Sequence, residues 1–148
     1  MKPIHGNINT LSEAESLQLL ARNTFAHLAC HIHDQIYVLP ITYAFEDGYF
    51  YSHSKPGRKI EMMRKNSSIC IQVEEVQDFF HWKSVIAWGK FEELKEDRAS
   101  SAMRLLIRKV VGKGDAISPL ELDLTAQLES TIIYQMKVDS ISGRFESK

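Results

Sequence analysis

The chain reads as a mainly β, α+β protein built on a small antiparallel barrel, and three observations carry that reading. Long runs alternate in polarity and are rich in β-branched and aromatic residues, turn signals separate them at short intervals, and helical spacing is confined to brief stretches between them. With 148 residues, 44% of them hydrophobic and 9% aromatic, a single domain spanning 1–148 can bury a core of its own.

The elements follow in order. Ser12 to Asn23 predicts a short helix: Ser12 stands at the N-cap with Glu15 three residues on, the capping-box pattern, and Leu17, Leu20 and Ala21 share a face. The run TFAHLACHIHDQIYVLPITYAFEDGYFYSHS predicts three strands in a meander, roughly 25–32, 36–45 and 49–54. Its first break falls at His33-Asp34-Gln35 and its second at Glu46-Asp47-Gly48, where Asp-Gly is the stronger hairpin signal. A helix at about 57–66 precedes a strand over about 68–75 and a longer one at 82–95. That longer strand is apolar on both faces, with Trp82, Ile86 and Trp88 on one and Val85, Ala87 and Phe91 on the other, so it belongs inside a sheet. Glu96 to Val111 is helical, with Ala99, Ala102, Met103, Leu106 and Val110 in one stripe and Gly112 placed to stop it. Pro119 to Leu128 predicts a further short helix, and TIIYQMKVDSISGRFE a final strand. Six antiparallel strands with helices around them predict a closed or nearly closed barrel, because such sheets gain by hiding their edges.

Composition removes several function classes. A net charge of -1 and a pI of about 6.6 leave no basic surplus for nucleic acid. Cys30 and Cys70 lie in apolar alternating runs, as reduced thiols in a cytosolic protein do. The N-terminal MKPIHGNIN lacks the apolar core of a signal peptide, and no run approaches the roughly 18 apolar residues of a membrane span, so a cytoplasmic location is expected. His31-x-His33 puts two imidazoles on one strand face, shared with His27, but no third ligand has a recognisable spacing, so no metal is expected. There is no Gly-x-Ser-x-Gly turn, no Gly-x-Gly-x-x-Gly and no Walker-type loop.

One stretch resists a purely structural explanation. YFYSHSKPGRKIEMM runs from a strand through Pro56-Gly57 into a helix whose first turn carries Arg58 and Lys59, with Lys55 just before. A helix N-terminus is already positive, so cations there are unfavourable unless an anion joins them. Backbone N–H groups, a glycine permitting close approach and two cationic side chains would make a phosphate site. The competing reading leaves these cations in water, paired with Glu61 or with nothing.

These pieces, in this order, carry a resemblance. Val38-Leu39-Pro40-Ile41-Thr42-Tyr43, the Asp47-Gly48 hairpin, a strand ending His53-Ser54, Gly57-Arg58-Lys59 opening a helix, and Trp82-Lys83-Ser84-Val85 followed by Gly89 resemble the pyridoxamine 5'-phosphate oxidase-like FMN-binding split-barrel proteins. Within them the chain looks closest to the nitroimidazole-resistance branch. The resemblance implies a six-stranded antiparallel split β-barrel with flanking helices, and FMN as cofactor. It places Ser54, Arg58 and Lys59 at the FMN phosphate. The backbone of Val38, Pro40, Ile41 and Thr42 would run along the isoalloxazine, Ser52 and His53 would line the ring or ribityl chain, and Trp82, Ser84 and Val85 would close the pocket. It also implies a homodimer with flavin at the subunit interface. A mid-strand proline removes a ladder hydrogen bond, a loss that matters little where the strand yields its pairing to a ligand.

The chain departs from true pyridoxamine phosphate oxidases in lacking the Arg-x-x-x-Leu-Lys strand and paired late arginines; Arg144 stands alone after Ser142-Gly143. Synthesis of pyridoxal phosphate is therefore not expected. The leading reading is an FMN-dependent oxidoreductase acting on a small acceptor such as a nitro compound, with His53 as its proton donor. The alternative is a binding protein without turnover: a flavin carrier or sensor, or a haem protein with an axial ligand among His27, His31, His33 and His81. A third reading is a purely structural interaction module.

Overall fold

A computed structural model describes residues 7–112 and 130–147. Its elements are β1 (Ile8–Thr10), α1 (Glu13–Arg22), β2 (Phe25–Ile32), β3 (Gln35–Thr42), β4 (Ala44–Glu46), β5 (Tyr49–Ser54), α2 (Arg58–Lys65), β6 (Ser68–Asp78), β7 (His81–Leu94), α3 (Glu96–Leu106) and β8 (Ile132–Glu146). The short helix expected over 119–128 lies outside the described residues.

Every pairing is antiparallel, in the order β3-β2-β6-β7-β8-β5-β4, with β1 added to β8. The six expected strands are all present, and the sheet adds two of three residues each, β1 and β4. β4 exists because the strand expected over 36–45 breaks at Tyr43. This side chain is buried, its hydroxyl donates to the Leu20 carbonyl at 2.7 Å, and its N–H donates to the Thr24 carbonyl at 2.9 Å. The residue that alternation assigns to a ladder is thus spent anchoring α1.

The sheet curls but does not close. Its two terminal strands, β3 and β4, are consecutive in the chain, and β3 passes beside β5 without forming a ladder to it. We call this gap the seam. Elsewhere the pairing is continuous. β7 lies between β6 and β8 for almost its whole length and sends Val85, Ala87 and Phe91 inward, onto Leu28, Ile71, Val73, Tyr134 and Met136. Where the β7–β8 register shifts, Gly89 lets the two backbones meet: a Cβ there would run into the Lys137 carbonyl.

The helices plug the barrel. α1 begins with a complete capping box, Glu15 N–H to Ser12 Oγ at 3.1 Å and Ser12 N–H to Glu15 Oε1 at 3.2 Å, and buries Leu19 and Leu20. Arg22 at its end clasps Glu75 of β6 with two bonds of 2.7 Å, and Asn23 adds a third to the same carboxylate. These donors, Arg22 first, hold the Glu75 carboxyl at about 2. α2 buries Ile60, Met62 and Met63 against the barrel mouth. α3 ends at Leu106 rather than at Val111, and the chain widens into a π turn over Ile107–Val111 before Gly112, whose φ of 109° suits a glycine stop. Among the described residues no helix is long and apolar enough to cross a membrane.

Candidate functional site

The seam collects most of the residues singled out above. At the end of β5, Ser52 points inward, is 1% exposed, and donates from Oγ to the Thr42 carbonyl at 2.7 Å, bridging from β5 to β3. His53 points to the other face and is half-buried. Burial first, and the charge of Lys59 second, push its imidazole below the usual range. Ser54 turns its hydroxyl onto the Lys55 carbonyl at 2.7 Å and so closes the strand.

α2 starts with no side-chain cap. Gly57 precedes it in an extended conformation, and a Cβ there would meet nothing within 4 Å, so the approach to the first free N–H groups is open. Arg58 reaches back to β3, donating to Gln35 Oε1 and lying 5.7 Å over the Tyr37 ring. Lys59 turns the other way. Its burial disfavours the charged amine, it weighs electrostatically on both His53 and the buried Cys30 thiol, and among the described residues no carboxylate pairs with it. Burial raises the Cys30 thiol despite that amine, so it is a packing residue rather than a thiolate.

A partly buried, unpaired ammonium beside an uncapped helix start is a poor arrangement for stability and a good one for an anion. Ser52 meets Thr42 and Lys59 lies near His53, whereas Arg58 is turned to Gln35 and Tyr37 at the opposite end of β3 from Thr42. Val38 and Pro40 lie on the outward face of β3 and Ile41 on its inward face, and β3 is an edge strand, the place a strand proline requires.

Trp82, Ser84 and Val85 are placed elsewhere. They belong to β7, separated from β3 by β2 and β6. Trp82 donates from Nε1 to Glu146 at 3.0 Å, Ser84 accepts from Gln72 at 3.0 Å, and the Val85 side chain is fully buried in the core. Within one chain they do not meet the seam.

Sequence reasoning missed Gln35, Tyr37, Cys30 and Tyr134, which complete the seam; each sits in an ordinary alternating run, and only pairing brings them to α2 and β5. The histidines behave as strand and turn residues: His31 meets Asn66, His81 pairs with Asp78 at 2.8 Å, and His27 faces Glu74 at 4.0 Å. Among the described residues no group of three His, Cys, Asp or Glu could hold a metal ion.

The outward face of β2, β3, β6 and β7 carries an apolar patch among polar residues such as His27, Gln72 and Glu74. Ile36 is 75% exposed, Val38 57% and Trp88 41%, and a groove of about 500 Å³ runs over Ala29, His31, Cys70 and Trp88.

The open, curled antiparallel sheet agrees with what comparison finds. The pyridoxamine 5'-phosphate oxidase family model matches residues 12–145. The chain belongs to this family. A solved structure of an FAD-binding protein from Mesorhizobium loti is 30% identical, with a TM-score of 0.77 over 95% of this chain and 99% of that one. A protein from Bacteroides thetaiotaomicron described as a 5-nitroimidazole antibiotic resistance protein shares the fold at 18% identity, with a TM-score of 0.73 over 98% of this chain and 95% of that one. An uncharacterised protein of Rhizobium meliloti is 28% identical over 143 residues, 93% of this chain and 94% of its own length. The fold is thus the split barrel of the family, with flavin-binding proteins among its neighbours.

Proposed function

We propose that this member of the family binds FMN at the seam and is an oxidoreductase for a small acceptor such as a nitro compound. The observation that carries the reading is Lys59: a partly buried ammonium with no carboxylate partner among the described residues, next to Arg58 and an open, uncapped helix start. A phosphate there would receive N–H groups from the α2 start and charge-assisted bonds from both cations. Ser54 completes that end. The β3 edge at Val38, Pro40, Ile41 and Thr42 offers backbone groups to the ring, while His53 lines the space between ring and phosphate and the buried Ser52 holds that edge from behind through Thr42.

The bound flavin would supply the redox chemistry; the protein binds, orients and shields. His53 is held neutral by its surroundings, so at neutral pH it offers a single N–H and a lone pair rather than an imidazolium. That suits a donor of one hydrogen bond to an acceptor over the ring, whereas giving up a proton would need the imidazolium that these surroundings disfavour. The FAD-binding neighbour at 30% identity makes FAD the competing ligand, since FAD contains the same flavin and first phosphate.

The pocket needs a second copy of the chain. Exposed Ile36, Val38 and Trp88 are the apolar surface that a homodimer covers, and a dimer lets Trp82 and Ser84 of one copy close over the seam of the other. The test is the visible spectrum of the purified protein and a titration of the apoprotein with FMN and with FAD. A flavin spectrum with tighter binding of FMN is expected. A colourless protein that binds neither would overturn the proposal, and tighter binding of FAD would replace the cofactor. Sedimentation should give a dimer that Trp88→Glu dissociates. To detect turnover, reduced flavin is reoxidised with and without a nitroaromatic; no acceleration would leave a flavin carrier.

A further inference from the structure

Tyr134 of β8 is 1% exposed and its hydroxyl has no hydrogen-bond partner among the described residues, a costly state for a buried polar atom. Its cross-strand partner in the β5–β8 ladder is Ser52, the same residue that donates across the seam to Thr42. A hydroxyl has one proton and two lone pairs. Ser52 has given its proton to Thr42 and keeps the lone pairs, whereas Tyr134 has a proton to give. Burial raises the Tyr134 phenol to about 12 while the Ser52 hydroxyl pulls it the other way, so the two groups already interact without meeting hydrogen-bond geometry. Phe91 packs on the Tyr134 ring at 5.3 Å between centroids, which fixes the ring and leaves hydroxyl rotation and the Ser52 rotamer as the free variables.

We infer that Tyr134, Ser52 and the Thr42 carbonyl form a donor relay across the seam, in which Tyr134 is a positioning residue for the flavin-facing edge of β3. This rests on the flavin reading above. Tyr134 donating to Ser52 strengthens the bond from Ser52 to Thr42, since hydrogen bonds in a chain polarise one another. The relay fixes the Thr42 carbonyl, and with it the edge that reads the ring. An unpartnered phenol in the barrel is otherwise a standing cost that phenylalanine would remove.

That contrast supplies the test. Tyr134→Phe, Ser52→Ala and the double variant are titrated with FMN, and amide exchange is followed over residues 38–42 of each apoprotein. Tyr134→Phe should weaken FMN about fivefold, the worth of one neutral hydrogen bond, and lower thermal stability slightly, whereas raised stability would mark an unpartnered phenol. The double variant should be no weaker than Ser52→Ala, because the relay passes through Ser52. Tyr134→Phe should also speed exchange at Ile41 and Thr42. Unaltered FMN affinity in Tyr134→Phe, or strictly additive losses, would overturn the relay. If the wild type binds no flavin, the proposed function falls and exchange alone decides: faster exchange keeps the relay as a seam clasp, and unchanged exchange removes it.

Discussion

The β6–β7–β8 wall and the seam between β3 and β5 are made from the same kinds of strand and do opposite things. In the wall the ladders of β7 to its two neighbours run almost without interruption, and Val85, Ala87 and Phe91 are buried behind them. At the seam the ladder is replaced by one side-chain bridge, Ser52 to Thr42, with an uncapped helix start and a partly buried ammonium alongside. A wall that satisfies its backbone internally has nothing left to offer a ligand; a seam that does not satisfy it has donors, acceptors and charge to spare. On the proposed reading, the backbone of the wall serves stability and the backbone of the seam serves binding.

Substitutions in the two regions should therefore separate. The largest effect is expected in the wall. Gly89→Ala places a Cβ against the Lys137 carbonyl, where backbone cannot yield, and should cost about 3 kcal/mol, lowering the melting temperature by roughly 10 °C. A melting curve within a degree or two of wild type would show that the wall tolerates more slack than its register implies. At the seam, Arg58→Ala with Lys59→Ala should weaken FMN roughly 100-fold, two charge-assisted contacts being lost, and leave melting unchanged or slightly raised. An unchanged titration would return both cations to the solvent.

Smaller effects sharpen the comparison. Glu75→Gln cuts the clasp between β6 and α1 and should cost about 1 kcal/mol, measured by urea unfolding at neutral pH. Its carboxyl sits at about 2 in the fold against an ordinary 4.5, so the clasp stabilises above about 4.5 and is lost as pH falls towards 2. The wild type should show that acid loss and Glu75→Gln should not. The smallest effect belongs to His53. Its folded value lies below the ordinary 6.5, so the unfolded chain binds its proton first, and apoprotein stability should fall as pH drops below about 6.5. Replacing His53 by Gln should remove that slope, and an identical slope in the variant would locate the titration elsewhere.

Local pattern carried much of the fold. Alternation located all six long strands, the Asp47-Gly48 pair located a hairpin whose residues have φ of 52° and 84°, and Ser12 with Glu15 located a helix start. It failed at Tyr43, because nothing in an alternating run reveals that one amide and one hydroxyl will be drawn to α1. It also ran α3 on to Val111, since the apolar stripe continues through a turn that widens.

For the candidate site, sequence order singled out Arg58 and Lys59, whose charges conflict with the helix dipole, and His53 beside them in the strand-to-helix junction, while Ser52 and Ser54 were added by the family resemblance. What tertiary structure alone decided is which residues from distant segments join them. Cys30, Tyr37 and Tyr134 reach the seam, and Trp82 and Ser84 do not, because sheet order sets two strands, β2 and β6, between β7 and β3. Periodicity tells a strand which face to bury, and it holds no information on which strand will lie beside it; that choice belongs to the closure of the whole sheet.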